Sequence, residues 1–158
     1  MKILSKEEII MLGIEFTGNV CYSGVYGQQV YTKEMEEGGV PIDGILYEKY
    51  PSGSVIYYQY HKNGIPHGER VEFYESGKLL SYCVMDTGTI DGKHTIWYED
   101  GKVKQERFCK YGLVLSMKKF DEMGNIISEK KELKDDEKEI YEKLNKEELT
   151  KNEDYIKC

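Results

Sequence analysis

The side chains in this chain best suited to metal or nucleophilic chemistry are three histidines and four cysteines, and their spacing supports neither role. Cys21, Cys83, Cys109 and Cys158 include no CxxC pair, and His61, His67 and His94 complete no zinc-ligand spacing. All four cysteines are expected to be free thiols. Cys83 and Cys109 are expected on alternate strands with another strand between them, too far apart to bridge. His94 follows Lys93 with no carboxylate at a matching position in its segment, so no general base is indicated. Asp135 and Asp136 fall where a helix is expected to start, a place where acids meet the helix dipole. No serine has a nucleophile-elbow context, and no glycine cluster is followed by the Lys-Ser or Lys-Thr of a phosphate loop. These residues predict no enzyme, no catalytic or metal site and no cofactor.

Recognition chemistry is better represented. Tyr50, Tyr74 and Tyr98 recur every 24 residues, with Glu48 and Glu72 two positions before the first two and the only tryptophan, Trp97, beside the third. Tyrosine with acidic neighbours suits a desolvated contact against a basic protein. The same residues also suit a cross-strand ladder that only holds a sheet together. A net charge of −7 counts against a phosphate-backbone binder, which carries a basic patch.

Both readings require strands. Cut every 24 residues from Gly44, the chain gives GILYEKYPSGSVIYYQYHKNGIPH, GERVEFYESGKLLSYCVMDTGTID and GKHTIWYEDGKVKQERFCKYGLVL, then a shorter SMKKFDEMGNIISEKKE. Glycine returns in three series: Gly44, Gly68 and Gly92; Gly53, Gly77 and Gly101; Gly64, Gly88 and Gly112. Each segment reads as two strands around a glycine turn, because a turn position needing positive φ penalises any Cβ. The fourth copy keeps Phe120, Gly124 and Ile126, aligned with one extra turn residue. Short turns force antiparallel neighbours, so residues 44–131 predict a continuous meander of about seven or eight strands with turns at Gly53, Gly77, Gly101 and Gly124. Alternation within a strand sends Val71 and Phe73 to one face and Glu72 and Tyr74 to the other. By the same rule Tyr47 and Lys49 oppose Glu48 and Tyr50, and Thr95 and Trp97 oppose Ile96 and Tyr98. One face would then set Tyr50, Tyr74 and Tyr98 beside Glu48 and Glu72.

The ends differ from the middle. Ser5 and Glu8 form a capping box, Leu4 and Ile9 a hydrophobic staple, and Gly13 a stop, which predicts a short helix covering the first sheet edge. Gly38-Gly39-Val40-Pro41 before Gly44 parallels Asn63-Gly64-Ile65-Pro66 before Gly68, which suggests a degenerate repeat from about Phe16. Residues 132–158 carry ten acids and six bases. Leu133, Ile140, Tyr141 and Leu144 mark an amphipathic helix over about 135–151 that caps the other end, since covered edges resist aggregation. The 39% apolar content, 16 glycines, 14 tyrosines and absence of alanine fit strands better than a helical bundle. The fold class is therefore mainly β: a single-layer antiparallel β-meander of 24-residue hairpin repeats with a short N-terminal helix and a C-terminal capping helix. One domain of 158 residues is expected, with 1–43 as cap and degenerate repeat, 44–131 as repeats and 132–158 as acidic helix. No membrane-length apolar run occurs, and Lys6, Glu7 and Glu8 interrupt any signal-like stretch, so a cytoplasmic location is expected.

The pattern Gly-x-x-x-x-aromatic-aromatic-x-x-Gly-Lys-aliphatic, in Gly68–Leu79 and Gly92–Val103, resembles the MORN-variant repeat. Proteins built almost wholly from it include the YwqK family of bacterial antitoxins. The resemblance implies an immunity factor that binds a cognate toxin, often a nucleic-acid-targeting enzyme, and occludes its active site. The expected partner is a basic toxin, with no nucleic acid bound, no membrane insertion, and a monomer before binding. The expected contact residues are Glu48, Tyr50, Glu72, Tyr74, Trp97 and Tyr98. MORN-type repeats elsewhere act as lipid or cytoskeletal scaffolds, which leaves a structural module as the alternative.

Overall fold

In the computed structural model, which describes residues 1–156, glycine sets the turns at both ends of every hairpin. At one end Gly53, Gly77, Gly101 and Gly124 have φ of 87, 83, 89 and 87°. Their N–H groups donate back to the carbonyls of Tyr50, Tyr74, Tyr98 and Asp121 at 2.8–3.0 Å. At the other end Asn63-Gly64, Thr87-Gly88 and Tyr111-Gly112 each place two residues at positive φ, the type I′ geometry whose twist matches the flanking strands.

The elements joined by these turns are β4 (Gly44–Lys49), β5 (Val55–Lys62), β6 (Ile65–Phe73), β7 (Leu79–Asp86), β8 (Thr89–Ile90), β9 (Gly92–Trp97), β10 (Val103–Lys110), β11 (Leu113–Phe120) and β12 (Ile126–Lys130). Before them come α1 (Lys6–Leu12), β1 (Gly13–Glu15), β2 (Cys21–Ser23), β3 (Gln29–Tyr31) and a 3-10 turn at Met35–Glu37; α2 (Asp135–Ile156) follows. The main sheet runs β1-β4-β5-β6-β7-β9-β10-β11-β12, with β8 beside β7. Strands β8 and β9 are one arm broken at Asp91, so the meander has eight arms, as expected.

The fourth repeat is aligned differently from the sequence expectation. Asp121, not Phe120, occupies the tyrosine position, and the turn to Gly124 has the same length as the others. Six residues separate Gly92 from Tyr98 but five separate Ser116 from Asp121, so the change is one residue lost from a strand.

Helix α1 has the expected capping box, with Ser5 Oγ accepting from the Glu8 N–H and Glu8 from the Ser5 N–H. It does not cover the first edge. Strand β1 takes that edge, pairing parallel with β4 as Gly13↔Ile45 and Glu15↔Tyr47. Parallel pairing follows from connectivity, since the chain between β1 and β4 is long enough to cross back. α1 instead lies on a face, where Ile9 packs with Ile45, Tyr47, Val55, Tyr58 and Val71. Leu46, pointing oppositely from Ile45 and Tyr47, forms a second cluster with Val30 and Ile42. Residues 16–43 therefore cover the other face: β2 and β3 make their own two-stranded sheet, tied on where Val30 N–H donates to the Gly64 carbonyl at 2.8 Å.

The early strands are thus sandwiched and the later ones are not: Phe108 is 49% and Ile127 65% exposed. Helix α2 stands beside the Tyr111 turn, with the Tyr111 and Tyr141 rings 5.7 Å apart and the Tyr111 hydroxyl bonded to Asn145 and Glu148. Of the apolar stripe expected on this helix, Tyr141 and Leu144 are half-buried while Ile140 is exposed. Cys21, Cys83 and Cys109 are free thiols, and Cys158 lies outside the described residues.

Candidate interaction face

The tyrosine and glutamate positions singled out in the sequence separate in space. A bulge before each first turn, at Glu48/Lys49 and Glu72/Phe73, breaks the alternation that would have set Tyr50 and Tyr74 beside the acids. The tyrosines form a row along the turn end of the sheet. Tyr50 Oη donates to the Phe73 carbonyl at 3.0 Å, Tyr74 Oη to the Trp97 carbonyl at 2.8 Å and Tyr98 Oη to the Phe120 carbonyl at 2.8 Å. Each phenol thus reaches one repeat forward and donates to the carbonyl of the last residue of β6, β9 or β11. Lys104 Nζ lies 5.4 Å over the Tyr98 ring. Trp97, half-buried, lines a depression of about 310 Å³ with Lys78, Leu79 and Tyr98.

The row makes a stability prediction. Tyr74→Phe keeps the ring and loses the bond to the Trp97 carbonyl, and should cost about 1 kcal/mol, with Tyr50→Phe and Tyr98→Phe alike. Urea unfolding should show a lower midpoint at unchanged slope, and three unchanged midpoints would contradict a stapling role.

Glu48 and Glu72 lie on the face away from α1, in company that the sequence reading passed over because it compared only the first strand of each hairpin. The antiparallel registers place Gln59, Arg70, Cys83, His94, Arg107 and Met117 in one row across β5, β6, β7, β9, β10 and β11. Tyr57, Glu72, Ser81 and Ile96 form the adjoining row. Of 22 basic residues only two are arginine, and both fall on this face. Arg70 is the third residue of its repeat and Arg107 the sixteenth of the next, so only their rarity marked them in the sequence.

Glu72 accepts from Arg70 Nη2 at 2.7 Å and Ser81 Oγ at 2.5 Å. Burial pushes its pKa up, but these hydrogen bonds outweigh burial and hold the carboxyl below its usual value. Arg70 also stacks 4.9 Å from the Tyr57 ring centroid. Burial drives the Cys83 thiol up to about 11, which leaves it unreactive near neutrality. Burial, helped by Arg107, lowers His94 to about 4. His94 Nδ1 accepts from Arg107 Nε at 2.9 Å, and the buried His94 Nε2 and Gln59 Oε1 have no hydrogen-bond partner. Among the described residues no cluster of three or more His, Cys, Asp or Glu is arranged to hold a metal. No described helix is long and apolar enough to cross a membrane. On this face Arg70, Glu72 and Ser81 are hydrogen-bonded to one another, as are His94 and Arg107.

Comparison with known proteins places two copies of the MORN repeat variant at residues 66–85 and 90–109, which span β6 to β10. This chain is similar to the Immunity protein YwqK of Bacillus subtilis (strain 168), 36% identical over 56 residues. That match covers 35% of this chain and 35% of the relative, so the chain spans about a third of that protein's length. The crystal structure of accessory secretory protein 1, 2 and 3 in Streptococcus pneumoniae overlaps 75% of this chain and 21% of its own, with 16% identity and a TM-score of 0.34, too low to carry an argument.

Proposed function

We propose that this MORN-repeat chain is an immunity protein that binds a cognate bacterial toxin in the cytoplasm and neutralises it by occluding its active site. The toxin is a basic, nucleic-acid-targeting enzyme. The observation that carries this reading is the coincidence of the repeat match with the sheet: residues 66–109 build β6 to β10, and a relative similar to part of this chain is named an immunity protein. A non-catalytic role accords with a repeat sheet on which Arg70, Glu72 and Ser81 are hydrogen-bonded to one another. The chain acts as one domain and is monomeric before binding, with 1–43 as cap and degenerate repeat, 44–131 as repeats and 132–158 as acidic helix. Contacts come from Glu48, Tyr50, Glu72, Tyr74, Trp97 and Tyr98. The net charge of −7 would steer a basic partner to the sheet.

The test is association with a toxin domain encoded beside this chain. A one-to-one complex is expected, with an association rate that falls at least tenfold between about 0.05 and 0.5 M salt as surface charge is screened. Failure to associate, or a rate indifferent to salt, would remove the reading.

A further inference from the structure

The polar face holds one guanidinium built into place and left without an anion. Arg107 is half-buried on β10, with its Nε bonded to His94 Nδ1 at 2.9 Å. Because Nε can only donate, Nδ1 accepts and the imidazole proton sits on Nε2. His94 stays neutral down to about pH 4, mainly through burial, so the bond holds near neutrality. Arg70 spends its guanidinium on Glu72 and the Tyr57 ring. Arg107 has no ion-pair partner among the described residues, and neither has Lys119, which lies one strand over opposite Gln105. The face carries Arg70, Arg107, Lys119 and Lys130 against Glu48 and Glu72, and of these Arg70 is matched by Glu72 and Lys130 by Glu137 of α2. What remains is Arg107 and Lys119, a local positive spot separated by five or more strand steps from the unmatched Glu48 on β4, on a protein of net charge −7.

We propose that Arg107, held by His94 and flanked by Lys119, is a docking site for a single carboxylate side chain of the protein partner. A guanidinium whose Nε is anchored still presents its two Nη groups as a planar fork, the geometry that a carboxylate accepts in bidentate fashion. A lone arginine with one neighbouring lysine suits one side chain and not a phosphate chain, which needs several cations in a row. That the ligand belongs to a protein rests on the immunity reading; the anion site does not. Long-range acidity brings the partner in, and this contact fixes its register on the sheet.

The test uses the full chain with isotope-labelled arginine and histidine side chains, titrated with acetyl-Gly-Glu-Gly-amide, its Gln counterpart and inorganic phosphate. The Glu peptide should shift Arg107 Nε and His94 Nε2 saturably at millimolar concentration, and the Gln peptide should not. Arg107→Gln should abolish the shift, and Arg107→Lys, which keeps the charge and loses the fork, should weaken binding about fivefold or more. Equal shifts with the Gln peptide, an unchanged titration in either folded variant, or phosphate acting at lower concentration than the Glu peptide would overturn the carboxylate assignment. The titration contains no toxin, so its failure is distinct from failure to find a complex. If the complex forms, Arg107→Gln should weaken it at least tenfold, and an unchanged affinity would overturn the docking role.

Discussion

Tyr58→Ala should destabilise the protein by about 3–5 kcal/mol, the range for emptying a large aromatic site in a packed core. Tyr58 is 0% exposed and sits at the centre of the cluster formed by Ile9, Ile45, Tyr47, Val55 and Val71. Its ring lies 6.2 Å from Phe73 and 6.3 Å from Tyr60. Its hydroxyl accepts from the Leu4 N–H at 3.4 Å, so one side chain joins the sheet to the segment entering α1. Truncation would open a cavity and release Ile9, the only buried residue of that seven-residue helix. Tyr58→Phe removes only the long hydroxyl contact and should cost about 1 kcal/mol or less. Urea unfolding of both variants checks this, and near-equal midpoints would mean that α1 is not held through this residue.

Lowering the pH should weaken the fold through His94. In the unfolded chain this imidazole titrates near 6.5, and in the fold near 4. A base whose folded pKa is depressed binds protons more readily when unfolded, so its contribution is complete above pH 6.5 and is lost as pH falls towards 4. The gap corresponds to about 3 kcal/mol. Burial lowers His61 in the same direction. Glu72 adds a loss at lower pH, as its paired carboxylate is finally protonated. His94→Gln, which can still accept from Arg107, should flatten the stability profile between pH 6.5 and 4. An unaltered slope in that variant would assign the acid sensitivity elsewhere.

The hairpin array was legible from glycine alone, because Gly53, Gly77, Gly101 and Gly124 at one end and Gly64, Gly88 and Gly112 at the other occupy positive-φ positions that penalise a Cβ and so mark the turns directly. The helix starts were legible from the Ser5 capping box and from the acids Asp135 and Asp136, which meet the dipole in the first turn of α2. The composition of the candidate face was not. Alternation holds only while a strand is regular, and bulges at Glu48/Lys49 and Glu72/Phe73 move Tyr50 and Tyr74 out of phase with the acids. Arg70 and Arg107 arrive from β6 and β10, the entering strand of one repeat and the returning strand of another, so only the pairing register brings them into one row. The parallel strand β1 was equally hidden, since Gly13-Ile14-Glu15 reads locally as the end of a helix. The shift of the fourth repeat onto Asp121 shows in the Tyr98 bond to the Phe120 carbonyl, a long-range contact that no local pattern encodes.

The most direct test of the immunity reading is inhibition at known stoichiometry. The toxin domain encoded beside this chain should be purified and its activity on nucleic acid measured against increasing amounts of the full chain. Activity is expected to fall linearly to near zero at one equivalent, and the protein should protect cells that express the toxin. Full toxin activity at several equivalents, with the chain shown to be folded, would contradict the account.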